Sequence, residues 1–249
     1  MLKPITPEGV NRICCLVISK YGIGKTSLIK TILGQEYVIA PEAGMAGQWL
    51  QMVDTNEKVC VLSAESGLLA VRDLVLDGSV EGYEISSIEE FNEAYDNLST
   101  SHEMMDRYDW IFIDSLTEIS SRCDEKMKEQ FPDQEKAFRR WDEYTALMKS
   151  LVKGFRDLTQ YNVVFTCLET VDKDQNNRRY IAPAVKGKGI KEELPSYFDE
   201  VLYMAIDQNY RVIYTQPYMD YPAKDRSGKL NPIEAPNLLT IKNKILGGN

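Results

Sequence analysis

The chain has 249 residues, 43% of them hydrophobic and 27% charged, with a formal net charge of −9. That suits one α/β domain with decorations, or one large and one very small domain, and excludes a surface that is basic all over, though not a local basic strip. No apolar run reaches the roughly 18 residues of a membrane span, so no membrane partner is expected.

The N-terminal Met1-Leu2-Lys3-Pro4-Ile5-Thr6-Pro7 has no apolar signal-peptide centre, and a cytoplasmic location is expected. The first predicted strand is Ile13–Ile18, which runs into a Gly-containing loop and a helix from about Lys25. The stretch 34–57 has no usable periodicity. A second strand covers Lys58–Ser63, followed by Ala64-Glu65-Ser66-Gly67, and a short one covers Tyr83–Ile85. Ser87-Ile88-Glu89-Glu90 then has the hydroxyl and the Glu three residues on that open a helix, here reaching about Leu98.

The third strong strand, Trp110–Ile113, ends at Asp114, and two helices follow. In the longer helix Phe138, Trp141, Thr145, Met148, Val152, Phe155 and Leu158 recur every three or four residues, which predicts one buried face. Strands at Asn162–Leu168 and Glu200–Met204 come next. A hairpin over Tyr210–Gln216, a Pro- and charge-rich loop and a C-terminal helix or tail complete the chain. The alternation predicts a mostly parallel central sheet flanked by helices. A core over 1–206 would carry the C-terminal hairpin, loop and tail of 207–249. The five cysteines lie in or beside apolar runs or in a helix-like stretch, without a CxxC pair. His102 is the single histidine, so buried thiols are expected and a zinc site is not.

The chemistry is carried first by Ser19-Lys20-Tyr21-Gly22-Ile23-Gly24-Lys25-Thr26, followed by Ser27. It matches the phosphate-binding G-x-x-x-x-G-K-[ST] pattern with Ser19 in place of the first Gly, and it sits between a strand and a helix as that motif requires. Gly22 and Gly24 let backbone N–H groups approach a phosphate, and the helix N-terminus adds its dipole. Lys25 is placed to bridge the β- and γ-phosphates and the Thr26 hydroxyl to ligate magnesium. Asp114 ends an apolar strand, the form of a Walker B segment, and is expected to hold Mg2+, with a helix N-cap as its other reading.

Ser115 follows it, not the Glu that many such ATPases carry there. Glu65, after the neighbouring strand, is the candidate to orient the attacking water, against a merely solvated loop Glu. Glu169, at the end of the fourth strand, is a candidate sensor of the γ-phosphate. ATP is preferred to GTP only because no [NT]-K-x-D segment reads guanine.

Taken with Leu62–Leu68, Ile113–Glu118, Asn162–Thr166, Leu194–Val201 and Ala223–Leu230, these motifs resemble the RecA-like ATP-binding proteins of tailed phages and prophages. That group includes the core-only single-strand annealing proteins of the Sak type, and the resemblance spans roughly residues 10 to 246. Ser19 and the long stretch between Thr31 and Lys58 depart from it. The resemblance implies a RecA-like P-loop NTPase fold, ATP and Mg2+ as ligands, and a homo-oligomeric ring or filament with active sites at subunit interfaces. It further implies action on single-stranded DNA in phage replication or recombination, in the host cytoplasm.

It also implies that Lys224 and Arg226, a Lys-x-Arg pair, reach the ATP of the next subunit; an ordinary solvated turn is the other reading. The segment 172–191, with Arg178, Arg179, Tyr180, Lys186 and Lys188, would contact DNA, combining charge with an aromatic; a solvated loop is its alternative. Two other functions fit the same motifs: an ATPase that loads or remodels a protein partner, and a nucleotide switch that does not hydrolyse.

Overall fold

The computed structural model describes residues 10–38, 47–65, 67–133, 137–174 and 176–247. The N-terminal stretch, Ser66 and part of the 34–57 region lie outside them. Six strands form a parallel sheet: β1 (Cys14–Ser19), β4 (Val59–Ser63), β5 (Val80–Glu84), β6 (Trp110–Asp114), β7 (Asn162–Lys173) and β9 (Glu200–Asp207). Their order is β9-β1-β7-β6-β4-β5, and β10 (Tyr210–Tyr214) and β12 (Ile233–Glu234) extend it antiparallel beyond β9. The chain leaves β1 for the far strands, returns to its neighbour β7, then crosses to β9 on its other side. The strand order therefore reverses at β1, which is where sheets of this kind open a crevice at their C-terminal edge.

β1 is apolar throughout because both of its faces are covered. Cys14, Leu16 and Ile18 join one buried cluster, with Phe91, Met148 and Phe165. Cys15 and Val17 join the other, with Leu28, Trp110 and Ile241. The first face carries the helices α3 (Ile88–Thr100), α5 (Leu116–Gln130) and α6 (Ala137–Arg156). The second carries α1 (Leu28–Ile32), α2 (Arg72–Leu76) and α8 (Leu238–Leu246). A six-residue helix, α4 (His102–Arg107), leads into β6. α3 starts as expected: Ser87 Oγ accepts from Glu90 N–H at 3.1 Å, while the Glu90 carboxylate accepts from Ser86 N–H, one residue before the cap.

All five cysteines are buried and free, and burial pushes the Cys14, Cys60 and Cys123 thiols up to about 12. No helix of the described residues is long and apolar enough to cross a membrane.

Four expectations need correction. The buried face of α6 is Tyr144, Met148, Leu151, Val152 and Phe155, whereas Phe138 is 89% and Trp141 37% exposed. A 20-residue helix spans about 30 Å, longer than the roughly 23 Å of buried β7, so its first turns find no sheet beneath them.

The C-terminal hairpin is not confined to 210–216. Its first arm is β9 itself, with Asp207 paired to Tyr210. Gln208 and Asn209 both have positive φ between the arms, the geometry of the tight turns that match strand twist.

The 172–191 segment is not a loop. β7 runs on to Lys173, β8 (Arg179–Pro183) folds back along it, and α7 (Lys188–Glu193) follows. In the 34–57 region, β2 (Gln35–Val38) and β3 (Gln48–Gln51) form a separate antiparallel ribbon. There Tyr37 and Trp49 pair across the strands, with ring centroids 5.5 Å apart. Single-residue alternation over four residues is too short a signal for a sequence to announce.

Candidate nucleotide-binding site

β1 ends in the buried Ser19, and the chain turns through Lys20–Ser27 before α1 begins at Leu28. Gly22 and Gly24 have φ of +74° and +107°, values that side chains rarely adopt, so the turn that aims this backbone requires glycine. Ser19, the departure from the motif, has a visible use. Its Oγ donates to Lys20 O at 2.8 Å and accepts from Lys25 Nζ at 3.1 Å. Lys25 Nζ also donates to Lys20 O at 3.1 Å. Both acceptors are neutral and an ammonium carries three donors, so one remains for an anionic group. Burial lowers the Lys25 pKa, opposed by the negative charge of Asp114 and, further down, of Glu65 and Glu169.

Thr26 Oγ1 donates to Asp114 Oδ2 at 2.6 Å, joining the P-loop to the end of β6. The other carboxylate oxygen accepts from Thr166 Oγ1 on β7. The N-cap of α5 is Ser115, and Asp114 lies within the strand. A hydroxyl and a carboxylate side by side are a hard oxygen pair. They fit Mg2+, which uses one or two protein carboxylates and takes its remaining ligands from water and phosphate. Among the described residues no group of three or more His, Cys, Asp and Glu gathers as a metal cage, in keeping with so sparse a donor set.

Glu65 lies just past β4, exposed, and its carboxylate accepts from the Ser115 hydroxyl. The Asp114–Ser115 peptide between the two strand ends is cis. Glu169 lies at the corresponding point of β7 and accepts from Tyr203 on β9. Lys25, Thr26, Asp114, Glu65 and Glu169 are thus brought to one edge of the sheet.

Lys224 and Arg226 are not brought there. Lys224 and Asp225 form β11, paired with Val201 and Glu200 at the start of β9. Lys224 Nζ donates to the carbonyls of Pro195 and Phe198, which precede β9, so it points away from the P-loop of its own chain. Arg226 pairs with Asp199 at 2.7 Å.

Of the residues assigned to DNA contact, Arg178, Arg179, Lys186 and Lys188 are exposed, while Tyr180 is half-buried on β8. Sequence reasoning missed Thr166, whose signal was a hydroxyl in an otherwise apolar strand run. It also missed Tyr203 and Arg211. Arg211 Nε donates to Ile23 O at 2.8 Å across 188 positions of sequence, a contact no local pattern announces.

The AAA domain family profile matches residues 11–227. No curated protein matches the chain. With most of the chain aligned to that family and a P-loop at the C-terminal edge of a parallel sheet, the chain belongs to the AAA domain family of P-loop, ATP-binding ATPases.

Proposed function

We propose that the chain is a magnesium-dependent ATPase that works on single-stranded DNA as a homo-oligomer, in phage replication or recombination. The observation that carries the ATPase part is the contact between Thr26 and Asp114, with Lys25 beside it and Glu65 and Glu169 on the flanking strand ends.

Thr26 and Asp114 would hold the metal ion, which when bound supplies positive charge to the β- and γ-phosphate oxygens. Lys25 contributes its free N–H to the same oxygens. Glu65 is the group that orients and accepts a proton from the attacking water, and the Ser115 hydroxyl holds its carboxylate toward the site. Thr166 fixes Asp114 from below.

The DNA part is supported by the exposed cations of the β7–β8 hairpin and α7, on the edge that carries the P-loop. The oligomeric part is supported by Lys224 and Arg226. They face away from their own site, so any role in hydrolysis is on a neighbouring copy, where such a cation adds roughly 10³ to 10⁵ in rate.

The test is Mg2+-dependent ATP hydrolysis with and without single-stranded DNA, at several protein concentrations, beside Lys25→Ala. Expected are stimulation by DNA, loss of turnover in the variant, and activity per chain that rises with concentration. Hydrolysis indifferent to DNA redirects the function to a protein partner. Full activity of a strict monomer removes Lys224 and Arg226 from the mechanism.

A further inference from the structure

A cavity of about 280 Å3 opens beside the P-loop, on the side of β1 away from Asp114. Its size is near the lower end of small-molecule sites, roughly 300–1,000 Å3. It begins at Gly24 and Ser27 and continues along α1 to Thr31, about 6 Å further at 1.5 Å per residue. One wall is the β2–β3 ribbon; the other is the turn between β9 and β10 and the start of α8.

The direction of a bound nucleotide follows from the site. Asp114, Glu65 and Glu169 all lie at the ends of strands on the β7 side of β1, so the terminal phosphate belongs there. The nucleoside must then leave past Gly24 toward β9 and β10, which is where the cavity is.

The walls are suited to a flat, aromatic ligand. Arg211, tied to Ile23 O, holds its guanidinium 5.1 Å from the Tyr37 ring centroid, and Trp49 packs against the other part of that ring. Planar cations and aromatic rings stack on heterocyclic bases. At the far end, Glu36 Oε1 accepts from Asn237 Nδ2 at 2.9 Å. Among the described residues no donor meets Glu36 Oε2, so the carboxylate keeps acceptor capacity facing a closed end. An acceptor there matches an exocyclic amino group and opposes a carbonyl oxygen.

We propose that this cavity is the base-binding site, with Tyr37 and Arg211 as stacking platform and Glu36 selecting adenine over guanine. The proposal rests on the P-loop reading above and gives the preference for ATP a positive cause.

Binding of ATP, GTP and inorganic tripolyphosphate to the full chain, measured by calorimetry, tests it. Tripolyphosphate reports the P-loop alone. The unaltered protein is expected to bind ATP at least about tenfold more tightly than tripolyphosphate. Tyr37→Ala should close that gap and Tyr37→Phe restore it, while Glu36→Gln should narrow the preference for ATP over GTP by about tenfold.

Equal binding of ATP and tripolyphosphate, or a Tyr37→Ala protein that keeps the full gap, overturns the base site and leaves the P-loop standing. Equal binding of ATP and GTP overturns the selection of adenine. Binding of none of the three ligands overturns the P-loop reading itself, and the base site falls with it.

Discussion

Lys25 and Lys224 look alike by every local measure. Each is drawn into the protein, each gives its ammonium to two neutral oxygens, and burial lowers the pKa of each. Their surroundings differ. Lys25 stands on a glycine turn at the C-terminal edge of the sheet, with three carboxylates raising its affinity for a proton. Lys224 stands at the opposite edge, its carbonyl acceptors belonging to the turn before β9, and the next charge acting on it is the cation Arg226. What separates a cation poised for a ligand from one that ties down a loop is therefore the edge of the sheet it occupies, not its burial.

The carboxylates divide in the same way. Asp114 has only hydroxyl donors, which a metal ion can displace or share. Glu200, at the other edge, is fully buried, and its pKa is pushed up to about 8 by that burial and then by Asp225 beside it. Asp225, although burial opposes it, is held low by the Ser227 hydroxyl and the Leu230 and Gly228 N–H groups. Its carboxylate organises the loop after β11.

The contrast is tested most sharply by replacing each lysine with methionine. Lys25→Met is expected to lower kcat for ATP about 10²–10³-fold, the scale of one lost transition-state donor. Its unfolding midpoint should not fall, because the buried charge is removed. A comparable activity with Met at position 25 would break the contrast.

Glu65→Gln comes next, with a fall of about 10²-fold in kcat and ATP binding kept. Unchanged turnover would put the water-orienting group elsewhere, and an unaltered protein that binds ATP without turnover would be a switch.

Lys224→Met is expected to cost stability, about 1–3 kcal/mol by denaturant unfolding, since two carbonyls lose a charged donor. A variant of full stability whose hydrolysis is lost would instead sharpen the trans-acting role.

The smallest effect is on pH. The folded pKa of Glu200 lies above its unfolded value, so the folded state holds the extra proton between about pH 4.5 and 8. Its contribution to stability is complete below that window and lost as pH rises through it, by at most about 1.4 kcal/mol per unit. Glu200→Gln should flatten this slope in unfolding curves measured across the window. An unchanged slope would mean that Glu200 is ionised throughout.

Much of this was legible in the sequence because it is local. An apolar run six residues long with a Gly-x-Gly-Lys-Thr turn after it can only be a buried strand feeding a phosphate loop, and an apolar strand ending in Asp114 meets the same edge. Periodicity, by contrast, gave the helix α6 but not its exposed end, because how far a helix overhangs its sheet depends on the length of a strand it does not contain. The 172–191 segment read as a loop because a two-stranded extension beyond the sheet has no second face to bury and so no alternation to detect.

The sequence by itself determined the parallel core, the P-loop and the acid at the end of β6, since each rests on residues adjacent in the chain. The tertiary structure alone decided that Thr166 holds Asp114, that Lys224 points away from its own P-loop, and that Tyr37, Arg211 and Asn237 surround one cavity. Those relations join residues as many as 201 positions apart. They depend on strand order and register, which hydrophobic pattern restricts but does not choose.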